Sequence, residues 1–501
     1  MGVPVGLDGA TPRAPHSSQI PLLAAGGAVF AIVLVAAGSA SARNATLVLG
    51  MVSGLAGLGA IVRFAPQTAC DCLLLLLAAT VAIPIDGHLA YREHIGGWPG
   101  FRIALADVAT YLLFALVLLG TWIGRVTNVI PRRILLLMAV VLFWYAVSAL
   151  GSKDRVLSIF EIAGTAHSFL LAWIVASLFR RDLLGAILAM IALSVLLHGG
   201  FAIAQGVTGR PIGAGWFGAT SELEPLSLGH EHLVRPGGLF MHPIVFATFL
   251  VITLPLLAAR LATQRGFFAR CWLLAALAIG AVGLLLSLSR GAWISAVIAT
   301  AVLGVLALRS RLLSPRQVRN IVFTGVALAL VFGAAFAPRI YDRFVKSDPS
   351  ALSSRFDMNT IAFRMIADHP VLGTGINNYT LNLPHYDTKG LMKDFLGPVH
   401  NLYFLEAAEV GIPGLLLLIT LFGSFLAMGL HQLPRMQDPA LQWVAAALLA
   451  GLVGLLVTQV ADFSARLEPL RSMIWFEIGL LFGVVQADRA QRAMARDAET
   501  S

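Results

Sequence analysis

The sequence predicts an all-α polytopic membrane protein, and three observations support this class. Of the 501 residues, 58% are hydrophobic and only 12% are charged, whereas a soluble domain carries about 25% charged residues. The mean hydropathy is +0.83, which is more than a soluble core requires. Long unbroken apolar runs, such as 134–144 and 445–457, are typical of membrane helices and not of the alternating strands of an outer-membrane barrel. Soluble enzymes, disulfide scaffolds and disordered proteins are therefore excluded.

A membrane helix needs about 20 mostly apolar residues, and this criterion predicts about 14 spans, within a range of about 12 to 14. The predicted spans begin near Ile20, Ala45, Thr68, Ala104, Ile134, Leu157, Leu183, Leu239, Cys271, Gly291, Asn320, Leu402, Gln442 and Arg471. Basic residues are more frequent in the even-numbered connections than in the short odd-numbered ones, so the positive-inside rule predicts that both termini are cytoplasmic. The same distribution accounts for the net charge of +9 without a nucleic-acid partner.

The predicted organisation has five parts. A cytoplasmic tail (1–19) precedes N-terminal membrane helices (20–205), a catalytic region (206–430), C-terminal membrane helices (431–486) and a second cytoplasmic tail (487–501). Two long loops, 206–238 and 338–401, fall on the outer face of this topology. Loops of this length in a compact helical protein are usually functional, so we expect the functional site on that face.

Arginines are the first candidates for function. Arg235 precedes a predicted span in the run Arg-Pro-Gly-Gly, where a guanidinium can bind a phosphate; an arginine reaching to lipid headgroups is the alternative interpretation. Arg290 interrupts two strongly apolar segments and has no nearby carboxylate in sequence, so an anionic substrate is its expected partner. Arg355 and Arg364 flank a stretch, 355–366, whose apolar spacing predicts an amphipathic helix at the membrane surface.

His400 is the candidate base. It ends the second long loop, and Asn401 is the predicted N-cap of the helix that follows. Glu406 and Glu409 lie three residues apart on one helix face. Either glutamate could orient the histidine, which can exchange protons near neutral pH. The alternative is a capping histidine beside two glutamates that face a wet cavity.

Two other clusters are given simpler interpretations. The run 230–232 (His-Glu-His) fits no common zinc spacing, so the sequence predicts no metal site. Asp462 and Arg466 are four residues apart and are predicted to form an interfacial ion pair. Several arginines and one histidine, without clustered carboxylates that could hold a metal, suit a lipid-linked diphosphate as the substrate. The arginines would bind the diphosphate and stabilise it as the leaving group. A histidine or glutamate would deprotonate the incoming hydroxyl. No cofactor is expected.

Four motifs, taken in order, resemble the O-antigen ligase/polymerase superfamily. They are Arg-Pro-x-Gly at Arg235, Ser-Arg-Gly at Arg290, a long outer loop with His-Pro-x-x-Gly-x-Gly-x-Asn-x-Tyr from His369, and His-Asn followed by Glu-x-Gly-x-x-Gly from His400. The resemblance covers roughly residues 200 to 430, and the last two motifs are the most specific.

The resemblance implies a GT-C-like membrane glycosyltransferase with a large periplasmic loop, active at the periplasmic face of the inner membrane. The implied donor is an undecaprenyl-diphosphate-linked glycan, and the implied acceptor is a saccharide or lipid A–core. By motif position, Arg235 and Arg290 match the family's arginines and His400 matches its essential histidine. The high span count favours a polymerase of O-antigen, capsule or exopolysaccharide over a ligase. A lipid-linked oligosaccharide flippase or exporter is the alternative, and other polysaccharide-assembly proteins are possible partners.

Overall fold

The computed structural model describes residues 66–122, 128–212, 224–228, 231–313, 316–317, 341, 350–388, 390 and 397–500. Helices make up most of this part of the chain. They are α1 (Pro66–Thr80), α2 (Leu105–Trp122), α3 (Arg132–Ala149), α4 (Arg155–Leu178), α5 (Leu184–Thr208), α6 (Pro243–Thr263), α7 (Phe267–Leu286), α8 (Arg290–Arg309), α9 (Ser350–Asp368), α10 (Tyr379–Tyr386), α11 (Leu402–Gln432), α12 (Pro439–Thr458) and α13 (Leu470–Thr500). Strands β1 (Asp86–Leu89) and β2 (Phe101–Ala104) form one antiparallel hairpin, and β3 (Glu224–Leu228) and β4 (Glu231–Arg235) form another.

Nine of the described helices, α3 to α8 and α11 to α13, are long and apolar enough to cross a membrane. Two shorter apolar segments, Gln67–Thr80 and Leu105–Leu118, belong to α1 and α2. The predicted class, an all-α polytopic membrane protein, is therefore confirmed. The predicted spans near Ile20, Ala45 and Asn320 lie outside the described residues, and the other predicted starts fall in or just before an observed helix.

Burial differs among the helices in the way that their sequences require. On α3 the buried residues Ile134, Met138, Val141 and Tyr145 recur at helical spacing, and Leu136 and Phe143 on the other faces are exposed. A helix with one buried stripe lies at the rim of a bundle, where its apolar outer face contacts lipid. Helices α6, α12 and α13 are buried over most of their length and form the centre of the bundle.

Helix α11 is broken at Gly411, whose φ of 74° and ψ of 175° are not helical. The break and Pro413, which has no N–H, remove the usual i to i−4 partners of the Ala408 and Glu409 carbonyls. Both carbonyls accept hydrogen bonds from the loop that follows α9 instead. Thr374 N–H donates to Ala408 and Gly375 N–H donates to Glu409, each at 2.9 Å.

The loop that occupies this break is defined here as the docking loop, residues 370–379. Ile412 N–H, freed from the helix, donates to the Pro370 carbonyl at 2.9 Å, so the bonding runs in both directions. Gly373 adopts a φ of 67°, and a Cβ at this position would lie 2.2 Å from the Glu409 carbonyl carbon. The docking loop and the α11 break therefore fit together only with glycine at this close approach.

Two predicted local features are present, one of them in a different environment, and one boundary changes. The helix expected over 355–366 is part of α9, but its apolar residues Met358, Ile361 and Met365 pack in a protein cluster with Leu405 of α11 and not on a membrane surface as expected. The Asn401 side chain caps α11 by accepting the N–H groups of the residues at 403 and 404. Residues 487–500, predicted as part of a separate tail, continue α13.

Candidate active site

The helix ends that carry the motif residues define one end of the bundle, called here the motif end. Helix α8 starts with Arg290, α6 starts a few residues after Arg235, and α11 starts two residues after His400. The Leu402 N–H, at the start of α11, donates to the carbonyls of Gln459 and Asp462 at 3.0 and 2.9 Å. These bonds join the start of α11 to the connection that follows α12.

A cavity opens at the motif end, with about 630 Å³ of empty space that includes space continuous with solvent. Three of the four arginines predicted to bind a diphosphate line it together with one carboxylate. The lining residues are Arg235, Ile244, Ser289, Arg290, Gly291, Ala292, Arg355, Thr458, Ala461 and Asp462. Residues from four separate stretches of sequence therefore meet at one cavity whose cationic groups are suited to an anion.

Each cavity arginine is positioned by backbone groups. Arg235, at the end of β4, is only 5% exposed, and its Nε–H donates to the Ser287 carbonyl at 3.1 Å. The chain turns sharply after this carbonyl, and Ser289 then caps α8 by accepting the N–H of the residue at 292. Because Arg290 is the first residue of α8, this turn fixes where its side chain leaves the backbone. Arg355 reaches the cavity from α9 and donates to the Ala461 carbonyl at 3.2 Å.

Arg364, the fourth predicted arginine, lies elsewhere. It is exposed near the other end of α9 and donates to the Tyr386 carbonyl at 3.3 Å and the Thr388 hydroxyl at 3.4 Å. The structure therefore gives Arg364 contacts with the α10 region and does not place it among the cavity-lining residues.

His400 lies beside Asp462, with Nδ1 and Oδ2 3.6 Å apart. The other carboxylate oxygen of Asp462 accepts the Ser464 N–H at 2.6 Å. Burial opposes ionisation of Asp462, but the neighbouring His400, the charge of His242 and the Ser464 N–H outweigh it and lower the pKa of this carboxyl. An ionised aspartate at Nδ1 can fix the orientation and tautomer of a histidine, which leaves Nε2 free to act as a base.

The two glutamates expected beside His400 have different partners. Glu406 accepts a hydrogen bond from the Tyr145 hydroxyl, and Glu409 forms an ion pair with Arg466. Glu409 also accepts the backbone N–H groups of Asn377 and Tyr379, each at 3.0 Å. The carboxylate next to the histidine is therefore Asp462, and Glu409 instead fixes the docking loop.

Arg466 was expected to pair with Asp462, but its described ion pairs are with glutamates. Its guanidinium contacts Glu409 and lies 3.7 Å from Glu161 and 4.0 Å from Glu406. Burial alone would lower the pKa of Arg466, but the three carboxylates raise it, so the side chain remains charged. Arg471 also contacts Glu161, at 2.8 Å. Buried charges need such partners, because an unpaired buried charge is strongly destabilising. We call the three glutamates Glu161, Glu406 and Glu409 the carboxylate cage.

No group of three or more metal-ligating side chains is present in the part of the chain that the structure describes. His230, which belongs to the histidine-rich run of the first long loop, lies outside the described residues.

Residues 275–419 match the O-antigen ligase family. This segment is similar to the O-antigen ligase domain. This match confirms the resemblance to the O-antigen ligase/polymerase superfamily. Among curated proteins, none matches the chain. One solved chain, from a peptidoglycan synthase complex described for its coordination of polymerization and crosslinking, aligns with 18% identity and a TM-score of 0.39. That alignment covers 72% of this chain and 98% of the solved chain.

The matched segment contains Arg290, Arg355 and His400, whereas two other site residues lie outside it. Arg235 precedes it, and Asp462 follows it by more than one helix. Motif reading found Arg235 but missed Asp462. A carboxylate at a membrane boundary is costly unless it is paired with a positive group or a hydrogen-bond donor. This cost is the signal in the sequence that Asp462 has a partner.

Proposed function

We propose that this protein transfers a saccharide from a polyprenyl-diphosphate donor to an acceptor hydroxyl, in ligation or polymerisation of a cell-surface glycan. The observation that carries the proposal is the cavity at the motif end, where Arg235, Arg290 and Arg355 converge next to the His400–Asp462 pair. Three guanidinium groups suit a diphosphate, and a histidine with an aspartate suits the deprotonation of a hydroxyl.

The proposed reaction is a single displacement at the anomeric carbon. His400 takes the proton of the acceptor hydroxyl, the hydroxyl oxygen forms a bond to the anomeric carbon, and the bond from that carbon to the diphosphate oxygen breaks. The arginines stabilise the negative charge that develops on the departing lipid diphosphate. Asp462 holds His400 in orientation and stabilises the imidazolium. The family resemblance implies inversion at the anomeric carbon and no need for a metal.

The topology proposed for this reaction places the motif end at the periplasmic face of the inner membrane and both chain termini in the cytoplasm. The distribution of basic residues along the sequence supports this orientation. The donor would be an undecaprenyl-diphosphate-linked glycan within a GT-C-like arrangement. The predicted span count favours a polymerase, and a saccharide acceptor, over a ligase that uses lipid A–core.

The proposal is tested by deletion of the gene followed by complementation with arginine and histidine variants. Arg290→Ala and His400→Ala are expected to abolish the polymer or its attachment while the protein still reaches the membrane. Removing one donor that stabilises a developing oxyanion costs about 10²- to 10³-fold in rate. Arg309→Ala is the matched control, because Arg309 is exposed at the opposite end of the same helix. Full activity in both site variants would refute the site assignment.

The glycan pattern of the deletion strain separates the possible activities. Single repeat units in place of long chains indicate a polymerase, and polymer that remains on the lipid carrier beside bare lipid A–core indicates a ligase. Repeat units trapped on the cytoplasmic side would instead support the flippase alternative and contradict the enzyme proposal.

A further inference from the structure

The connection between α12 and α13 contacts the start of α11, Arg355 and His400. We define residues 458–466 as the site turn. Its Gln459 and Asp462 carbonyls accept the Leu402 N–H, and its Ala461 carbonyl accepts a hydrogen bond from Arg355. Its Asp462 side chain faces His400. The site turn therefore positions both a cavity arginine and the carboxylate beside the candidate base.

Hydrogen bonds within the site turn make it a single unit. The Gln459 side chain accepts the Ala465 N–H at 3.0 Å and donates to the Ser464 hydroxyl at 3.2 Å. The Asp462 carboxylate accepts the Ser464 N–H. These bonds connect the start of the turn, the aspartate and the residues next to Arg466, so that a shift at one end moves the other.

Arg466 is the last residue of this unit, and it is inserted in the carboxylate cage. Its side chain is 7% exposed, and its guanidinium meets Glu161 from α4 and Glu406 and Glu409 from α11. Glu409 in turn holds the docking loop through two backbone N–H groups. One guanidinium therefore connects α4, α11, the docking loop and the site turn.

We propose that Arg466 is a positioning residue: by anchoring the site turn in the carboxylate cage, it places Asp462 against His400 and the Ala461 carbonyl against Arg355. The inference rests on the proposed function, because it assigns Arg466 a role only through those groups. A displacement of about 1 Å at a reacting group can cost about 10²-fold in rate. The Arg466 guanidinium is held among Glu161, Glu406 and Glu409, so we assign it a positioning role and not a catalytic one.

Arg471 provides a matched control. It has the same 7% side-chain exposure, contacts the same Glu161 and lies in the first turn of α13, outside the site turn. Arg→Lys substitutions at the two positions keep the positive charge among the carboxylates but lose the guanidinium fork that binds two groups at once. Both variants therefore weaken the carboxylate cage, and only Arg466→Lys releases the site turn.

The experiment compares full-length wild type, Arg466→Lys and Arg471→Lys after reconstitution in lipid vesicles, with a synthetic polyprenyl-diphosphate saccharide as donor. Rates are normalised to folded protein measured by thermal unfolding. We expect kcat of Arg466→Lys to fall about tenfold or more with donor KM changed less than about threefold, while Arg471→Lys stays within about threefold of wild type in both. The pH profile of Arg466→Lys is expected to shift in the direction shown by Asp462→Asn.

Equal kcat values for the two lysine variants, or a pH profile identical to that of the wild type in Arg466→Lys, would overturn the positioning role. If Arg466→Lys does not accumulate, the kcat of Gln459→Met is measured instead, because this variant removes the side-chain hydrogen bonds within the site turn without changing the charge of the carboxylate cage. An unchanged kcat in Gln459→Met would then refute the proposal. The inactive Arg290→Ala and His400→Ala variants serve as references. If these two retain activity, the proposed function fails, and if only the Arg466 result fails, the proposed function stands.

Discussion

Replacing Asp462 with asparagine separates the charge of this residue from its shape. Asparagine is nearly isosteric, and its amide oxygen can still accept the Ser464 N–H, so the site turn keeps its main internal bond. The change falls on the atom that faces His400, where a carboxylate oxygen becomes an NH₂ group. An amide at this position cannot stabilise an imidazolium, and it favours the tautomer in which Nε2 carries the proton and cannot act as a base.

The size of the effect follows from the distance between the two groups. Two unit charges 3.6 Å apart attract by about 5 kcal/mol at an effective dielectric constant of about 20 and by about 1 kcal/mol in water. The Asp462 side chain is 4% exposed and that of His400 is 21% exposed, so the interaction lies between these limits. We therefore expect Asp462→Asn to lower kcat by about 10²-fold, within a range of about 10- to 10³-fold. Donor KM should change little, because the three cavity arginines are untouched.

The assay is the rate of transfer from a synthetic lipid-diphosphate saccharide by protein reconstituted in vesicles, measured for wild type, Asp462→Asn, His400→Ala and the double variant. If the two residues act as a unit, the double variant is no slower than His400→Ala alone. Two results would refute the reasoning. One is unchanged kcat in Asp462→Asn, and the other is an additive loss in the double variant, which would mean that the aspartate acts independently of the histidine.

Two further predictions concern the framework of the site. Gly373→Ala puts a Cβ on a residue in the left-handed region and against the α11 backbone, so the free energy of unfolding should fall by about 2 to 4 kcal/mol. Gly304→Ala is the control: a Cβ there meets nothing within 4 Å, so the free energy of unfolding should rise by about 0.5 to 1 kcal/mol. Equal melting temperatures for the two variants would contradict the close approach of Gly373 to α11. Burial lowers the pKa of His94 below the usual value of about 6.5, despite its hydrogen bond with Asn377. The unfolded chain therefore binds the extra proton first, and Tm should fall as pH decreases from about 6.5 towards the lowered value. His94→Gln, which can still donate to Asn377, should flatten this dependence in thermal unfolding followed between about pH 7.5 and 5, and an unchanged slope would show that other groups cause it.

Sequence reasoning found the helices because length and apolarity are local properties. Each described helix except α10, whose sequence is largely polar and was not predicted as a helix, corresponds to an apolar run or, for α9, to apolar residues at helical spacing. The sequence also predicted the three arginines that line the cavity. Arg235 and Arg290 stand out because they lie where apolar segments are interrupted, and Arg355 because it lies on the predicted amphipathic helix of the second long loop. The common predicted face grouped these three arginines, but it also grouped Arg364, which contacts the α10 region instead.

The partner of His400 could not be predicted from the same features. Asp462 and Arg466 are four residues apart, and this spacing brings side chains together only on an α-helix. The segment is a turn that ends in a short 3₁₀ segment, Ser464–Arg466, so the two side chains point to different partners. Glu406 and Glu409, which follow His400 closely in sequence, contact Arg466 instead of the histidine. Sequence distance was therefore a poor guide wherever the backbone left the regular helix.

The break in α11 explains why two sequence motifs of the resemblance occur together. Gly411 and Pro413 leave the Ala408 and Glu409 carbonyls without helical donors, and the docking loop supplies the missing N–H groups. These bonds pair the backbone groups of each element with those of the other. The glycines and the proline of the two motifs therefore make the architecture that brings the docking loop onto α11, while the chemistry is proposed for His400 and the arginines. A change to either motif backbone should disturb the other, even when no charged group is altered.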